Sequence, residues 1–249
     1  MILAVSLVCM LTGAVLGAVL RRRLPQHHLT EESASVVRSG VGLISTMTAL
    51  ILGLLISSAK ISYDSTANDL SELTSDVVTV DLMLAEYGPA ANDTREALRG
   101  AVNEGADSVW GTAARHSPGS RTFVPSSAWA RYSKNLAALP GSTDAQRSLL
   151  KNIDNLDARM AEPRLRLFTR SGTELPVPFL VIVDFWLTII FASYTLLGKL
   201  NTTVIVFVFL FALSAAGALY LIGELGDPFA GLLQLPKSTI VDALPPLPR

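Results

Sequence analysis

The chain has 249 residues, half of them hydrophobic, with 20 Lys and Arg against 21 Asp and Glu, a net charge of −1 and a mean hydropathy of +0.43. That balance belongs to the membrane class and, with no basic run interleaved with aromatics, excludes nucleic acid as a partner. The single cysteine, Cys9, excludes an internal disulfide and a cysteine-built metal site.

Charge is unevenly distributed. Residues 60 to 174 carry 13 of the basic and 15 of the acidic side chains, which leaves 13 charges for the other 134 residues. The first of the apolar stretches, Met1 to Leu20, has no charge and at 1.5 Å per residue covers about 30 Å, the hydrocarbon thickness of a bilayer. The basic Arg21, Arg22 and Arg23 follow it. A signal peptide has the reverse order, so an uncleaved span is expected. Within it Gly13 and Gly17 form a GxxxG pair, a face on which another helix can approach closely. His27 and His28 are neighbours in the following polar loop, where solvation is expected rather than metal binding.

Val41 to Ala59 is the second expected span. It is uncharged but holds five hydroxyls, on Ser45, Thr46, Thr48, Ser57 and Ser58, which suggests that it faces protein or water as well as lipid. Ser45, Thr48, Leu52, Leu55 and Ala59 share one helical face. If several copies met around an axis, this face would line a pore, with Leu52 and Leu55 as a hydrophobic neck. The competing reading is that the hydroxyls bond to their own helix and the leucines pack.

Beyond Lys60 the apolar residues Leu70, Leu73, Val77, Val80, Leu84 and Tyr87 recur at steps of three and four, the seam of a helix packed along a partner. Nothing breaks a helix between Leu54 and Gly88, so a single rod of about 70 Å from Val41 is predicted, ended by Gly88 and Pro89. Further helices are expected over Thr94 to Ala114, Ser127 to Leu139 and Thr143 to Ala161, the last opened by a capping box of Thr143 and Gln146. The seam suits a helical bundle within one chain or a coiled coil between copies.

Leu175 to Gly198 is the third expected span, with one charge at Asp184. Leu200 to Gly223 is the fourth, with a patch of small residues from Ser214 to Gly217 and Ala218 where backbones can meet. An acid in hydrocarbon must be paired or hydrated, so Asp184 is expected to face the interior, with Lys60 the nearest basic residue by topology. Lys60, Asp64, Asp184, Glu224 and Asp227 thus form a candidate charge cluster at one membrane edge. Two hairpins put both termini and the central region on one side. Arg21 to Arg23 and Arg38 favour a cytoplasmic 21–40 loop, while Lys60, Arg164, Arg166, Arg170 and Lys237 weigh for the other side.

No catalytic triad, zinc-protease motif or phosphate loop occurs, so an enzyme, a metal and a cofactor are not expected. Three runs carry a resemblance: GLISTMTALILGLLISSAKISYD from Gly42 to Asp64, LMLAEYGPAA from Leu82 to Ala91, and YLIGELGDPFAGLLQL from Tyr220 to Leu235. They resemble the bacterial bestrophin-like membrane proteins, a family of unknown function grouped with bestrophin anion channels. The resemblance implies a cytoplasmic central region and cytoplasmic termini, opposite to the arginine count. No acidic calcium clasp stands on this chain. The reading is an all-α membrane protein: an N-terminal hairpin (1–59), a soluble helical region (60–174), a C-terminal hairpin (175–223) and a tail (224–249). It is expected to be a homo-oligomeric ion channel of the bacterial inner membrane, with the lipid bilayer and inorganic ions as partners. The alternative is a non-conducting scaffold or sensor whose soluble helices bind a partner.

Overall fold

The computed structural model describes residues 2–25, 30–111, 126–170, 177–198 and 201–245, and these are helical, with no strand among them. The helices are α1 (Ile2–Arg23), α2 (Glu31–Tyr87), α3 (Asn92–Trp110), α4 (Ser127–Ala137), α5 (Asp144–Arg170), α6 (Val177–Leu197), α7 (Thr202–Gly226) and the short α8 (Ser238–Val241). Four of them, α1, α2, α6 and α7, are long and apolar enough to cross a membrane. His27, His28, His116 and the loop prolines Pro118, Pro125 and Pro176 lie outside the described residues. The chain divides into two compact units, Met1–Ile61 with Leu175–Gly226, and Ser62–Glu174 with Asp227–Arg249. Helix α2 contributes to both.

In the first unit, sequence neighbours are not the chief spatial neighbours. Helix α1 packs mainly on α6 and secondarily on α7, whereas α6 and α7 touch little despite the short connection between them. The register explains why. A Cβ added at Gly13 would collide with the carbonyl of Thr188, and one at Gly17 with the carbonyl of Ala192 and the hydroxyl of Thr195. The two helices therefore run parallel with their backbones in near contact, as small residues allow in lipid. Thr195 fastens the contact by donating to the Ala14 carbonyl at 2.7 Å. The core of this unit gathers Met10, Ala14, Leu55, Ala59, Val183, Leu187, Phe191, Ala212 and Leu219.

In the second unit, Leu70, Leu73, Val77, Val80, Leu84 and Tyr87 are all buried, together with Leu98, Tyr132, Ile153 and Met160 from the other helices. Helix α2 starts at Glu31, ten residues before Val41, because nothing from Glu31 onward breaks a helix. It ends where Gly88 takes φ 111°, a conformation that favours glycine, and Pro89 opens a 3₁₀ turn. Helix α5 runs on through Pro163, past the Ala161 end read from its pattern. It opens on the reciprocal Thr143 and Gln146 bonds, at 3.1 and 3.3 Å.

Acids spaced along α2 meet arginines of α3 and α5. Asp69 pairs with Arg166 at 3.0 Å, Asp76 with Arg159, and the fully buried Asp81 with Arg95 through two bonds of 3.0 and 2.7 Å. Since Asp69 and Asp76 rise along α2 as Arg166 and Arg159 descend along α5, the two helices are antiparallel there. The C-terminal segment lies on the same unit: Tyr63 donates to the Leu233 carbonyl and Trp110 to that of Leu235, Lys237 pairs with Asp107, and Phe229, Ile240 and Leu244 are buried.

Candidate functional site

Helix α2 carries the residues singled out as pore-lining, and the structure turns them inward within the single chain. Thr48 is 3% and Leu55 8% exposed, Ser45 and Leu52 are half-buried, and Ala59 joins the same core. The Thr48 hydroxyl donates to the Ile44 carbonyl at 2.7 Å, the local bond a hydroxyl makes in an apolar helix. Within the single chain this face joins the core of the chain's own spans.

Two other faces of α2 are open. One is bulky and apolar, with Val36, Leu43, Leu50, Leu54 and Ile61 each about 70% exposed, the composition that lipid tails accept. The other is small and hydroxyl-bearing: Ser39, Gly42, Thr46, Ala49, Gly53 and Ser57 are all exposed and follow at steps of three and four, so they line one helical stripe. Among the described residues nothing lies within 4 Å of a Cβ added at Gly42 or Gly53. Thr46 donates to the Gly42 carbonyl and Ser39 to the Ser35 carbonyl, each at 3.0 Å. With their protons used locally, these hydroxyls present oxygen lone pairs outward. From Ser39 to Ser57 the stripe spans about 27 Å at the helical rise, close to the bilayer's apolar thickness. The same spacing was present in the sequence, but the Ser45 face, with its two leucines, obscured it.

The charge cluster is spread over different surroundings. Asp184 is half-buried in the first unit, where Cys9 and Ser6 of α1 hydrogen-bond to its carboxyl group. Both lie on α1, because the parallel α1–α6 register sets Cys9 one turn before the Gly13 contact. Glu224 is hydrogen-bonded by Tyr220. Lys60 is exposed in the first unit, while Asp64 and Asp227 are exposed in the second. Of the packing candidates, Gly13 and Gly17 lie in the α1–α6 contact, whereas Ser214 is exposed and a Cβ added at Gly217 meets nothing within 4 Å among the described residues. No group of metal-ligating side chains occurs among the described residues.

A polar group in the second unit escaped sequence reading. Tyr132 donates to both Asp157 oxygens at 3.0 Å, and Arg164 stacks over the Trp129 ring at 4.0 Å. Burial pushes Asp157 up to about 6, with Asp154 adding to the rise while the Tyr132 bond and Arg164 oppose it. Burial likewise lowers the pKa of the Arg164 guanidinium.

The model of one known family, described as Bestrophin-like domain, matches residues 8–240. No curated protein and no solved structure shows a significant match to the chain.

Proposed function

The chain belongs to the bestrophin-like family, and on that premise we propose that it is a homo-oligomeric ion channel of a bacterial inner membrane, with copies of α2 around the pore. It is a membrane protein by its four apolar helices, and the related bestrophins are channels, which points away from an enzyme. The observation that carries the reading is the bareness of α2. Only 11% of its most apolar window is buried in the chain, against 28% in each of the other three spans. A span that keeps glycines and hydroxyls on an uncovered face gains little from lipid and much from close approach to copies of itself or from water. The lining proposed is the stripe of Ser39, Gly42, Thr46, Gly53 and Ser57, with Ser45 and Leu52 at its border. Because its hydroxyls offer lone pairs and its lower end carries Asp64 beside Lys60, strong preference for anions is not expected.

Cysteine accessibility tests this lining. In protein reconstituted into vesicles, a water-soluble, charged thiol reagent should block ion flux through Thr46→Cys and Gly53→Cys, and leave Leu50→Cys, on the bulky face, unaffected. If the two stripe variants conduct and are untouched by the reagent, the pore does not lie on this face.

A further inference from the structure

A cavity of about 520 Å³ lies between the beginning of α2 and the end of α6, within the first unit. Its walls are formed by Arg38, Gly42, Ser45, Ser193 and Tyr194 together with the apolar Val41 and Leu197. Among the described residues Arg38 meets the exposed carboxylate of Glu31, at 3.7 Å, a contact worth little in water. A second arginine stands at this level of the backbone. The register that sets Gly13 against Thr188 and Gly17 against Ala192 carries Arg21, one turn on, to the level of Leu196, beside the Leu197 wall. Nη1 of Arg21 is buried and has no hydrogen-bond partner among the described residues. A buried cationic donor without an acceptor is costly and favours an anion.

The level of the cavity narrows the choice of anion. The apolar run of α1 gives way to Arg21, Arg22 and Arg23 at this height, and Tyr194, about half exposed, sits where interfacial aromatics sit. This is headgroup depth, where basic pockets between spans take lipid phosphates. A free phosphate would use the arginines and hydroxyls but has no use for Val41 and Leu197, which suit the glycerol and first acyl carbons of a lipid. We propose that the cavity binds the phosphate head of an anionic phospholipid, Arg38 and Arg21 meeting the charge and the apolar wall meeting the chain. The assignment does not depend on conduction, and its test uses no ion flux.

The full chain, purified in detergent, is titrated with phosphatidylglycerol and with phosphatidylcholine of the same acyl chains, and lipid retention is followed by native mass spectrometry and melting. Phosphatidylglycerol should be retained and should stabilise saturably, in preference to phosphatidylcholine. Arg38→Gln should weaken that preference about fivefold, the scale of one basic residue at a membrane surface. Ser45→Leu, which fills the cavity and leaves both arginines, should weaken it similarly, whereas Arg147→Gln in the second unit should not. Equal retention of the two lipids overturns the proposal, as does wild-type binding by both cavity variants. Inorganic phosphate that stabilises as well as the lipid reassigns the cavity to a soluble anion and also overturns it. If Arg38→Gln does not fold, Ser45→Leu decides.

Discussion

At the scale of single residues, the polar groups that matter are those buried with partners from distant parts of the chain. Asp81 is fully buried against Arg95, with Arg99 at 3.6 Å as a second neighbour. Removing the main partner leaves a buried charge insufficiently compensated, so Arg95→Ala should cost about 3–5 kcal/mol, read as a lower unfolding midpoint of the detergent-purified chain. Asp157 works in the opposite sense. Its folded pKa of about 6 stands above the ordinary 3.8, so the folded state binds the proton more tightly. That contribution is fully present below pH 4 and is lost as the pH rises through about 6. Asp157→Asn should therefore match wild type at pH 4 and exceed it at pH 8 by on the order of 1 kcal/mol, after allowance for solvent screening. Neither group was legible in the sequence, because pairing of Asp81 with Arg95, or of Tyr132 with Asp157, depends on how helices far apart in sequence meet. For the same reason Asp184 was readable as an acid needing a partner, while the partner's identity, Cys9 and Ser6 on α1, was not.

At the scale of elements, periodicity was the strongest signal. The steps of three and four from Leu70 to Tyr87 correctly marked a buried face, and Gly88 with Pro89 marked the end of α2, since both depend on local geometry. The glycines of α1 were legible as a close-approach face, but not the helix they approach. Gly17→Leu should drive α1 from α6 and lower the melting point or abolish monodisperse protein, whereas Gly53→Leu, whose added Cβ meets nothing within 4 Å among the described residues, should leave the single chain's fold intact. If Gly53 lies between copies, that variant should instead disperse the oligomer, measured by size-exclusion chromatography with light scattering. Wild-type behaviour of Gly53→Leu in assembly and flux would remove the stripe from consideration. The matched sevens of Asp69 with Asp76 and Arg159 with Arg166 were also present in the sequence, and they fix the antiparallel α2–α5 register once the two helices are known to be neighbours.

At the scale of the molecule, the proposal that all four apolar helices span the bilayer puts residues 21–40 and the central region on opposite sides of it. Cysteines at Ser33 and Ser126 should therefore be labelled by impermeant reagents from opposite sides, an outcome that labelling of both from one side would contradict. In the proposed channel, copies of one chain assemble around a bare, hydroxyl-bearing α2, and that assembly is not written in any one segment, since the stripe from Ser39 to Ser57 is small and exposed whether a copy, water or lipid covers it. Recording from the purified full-length protein in a planar bilayer tests the central claim most directly. Discrete unitary currents, with a reversal potential showing no strong anion preference in asymmetric salt, are predicted; a bilayer that stays silent with this protein while a known channel conducts under the same conditions would contradict the channel and favour a non-conducting membrane scaffold.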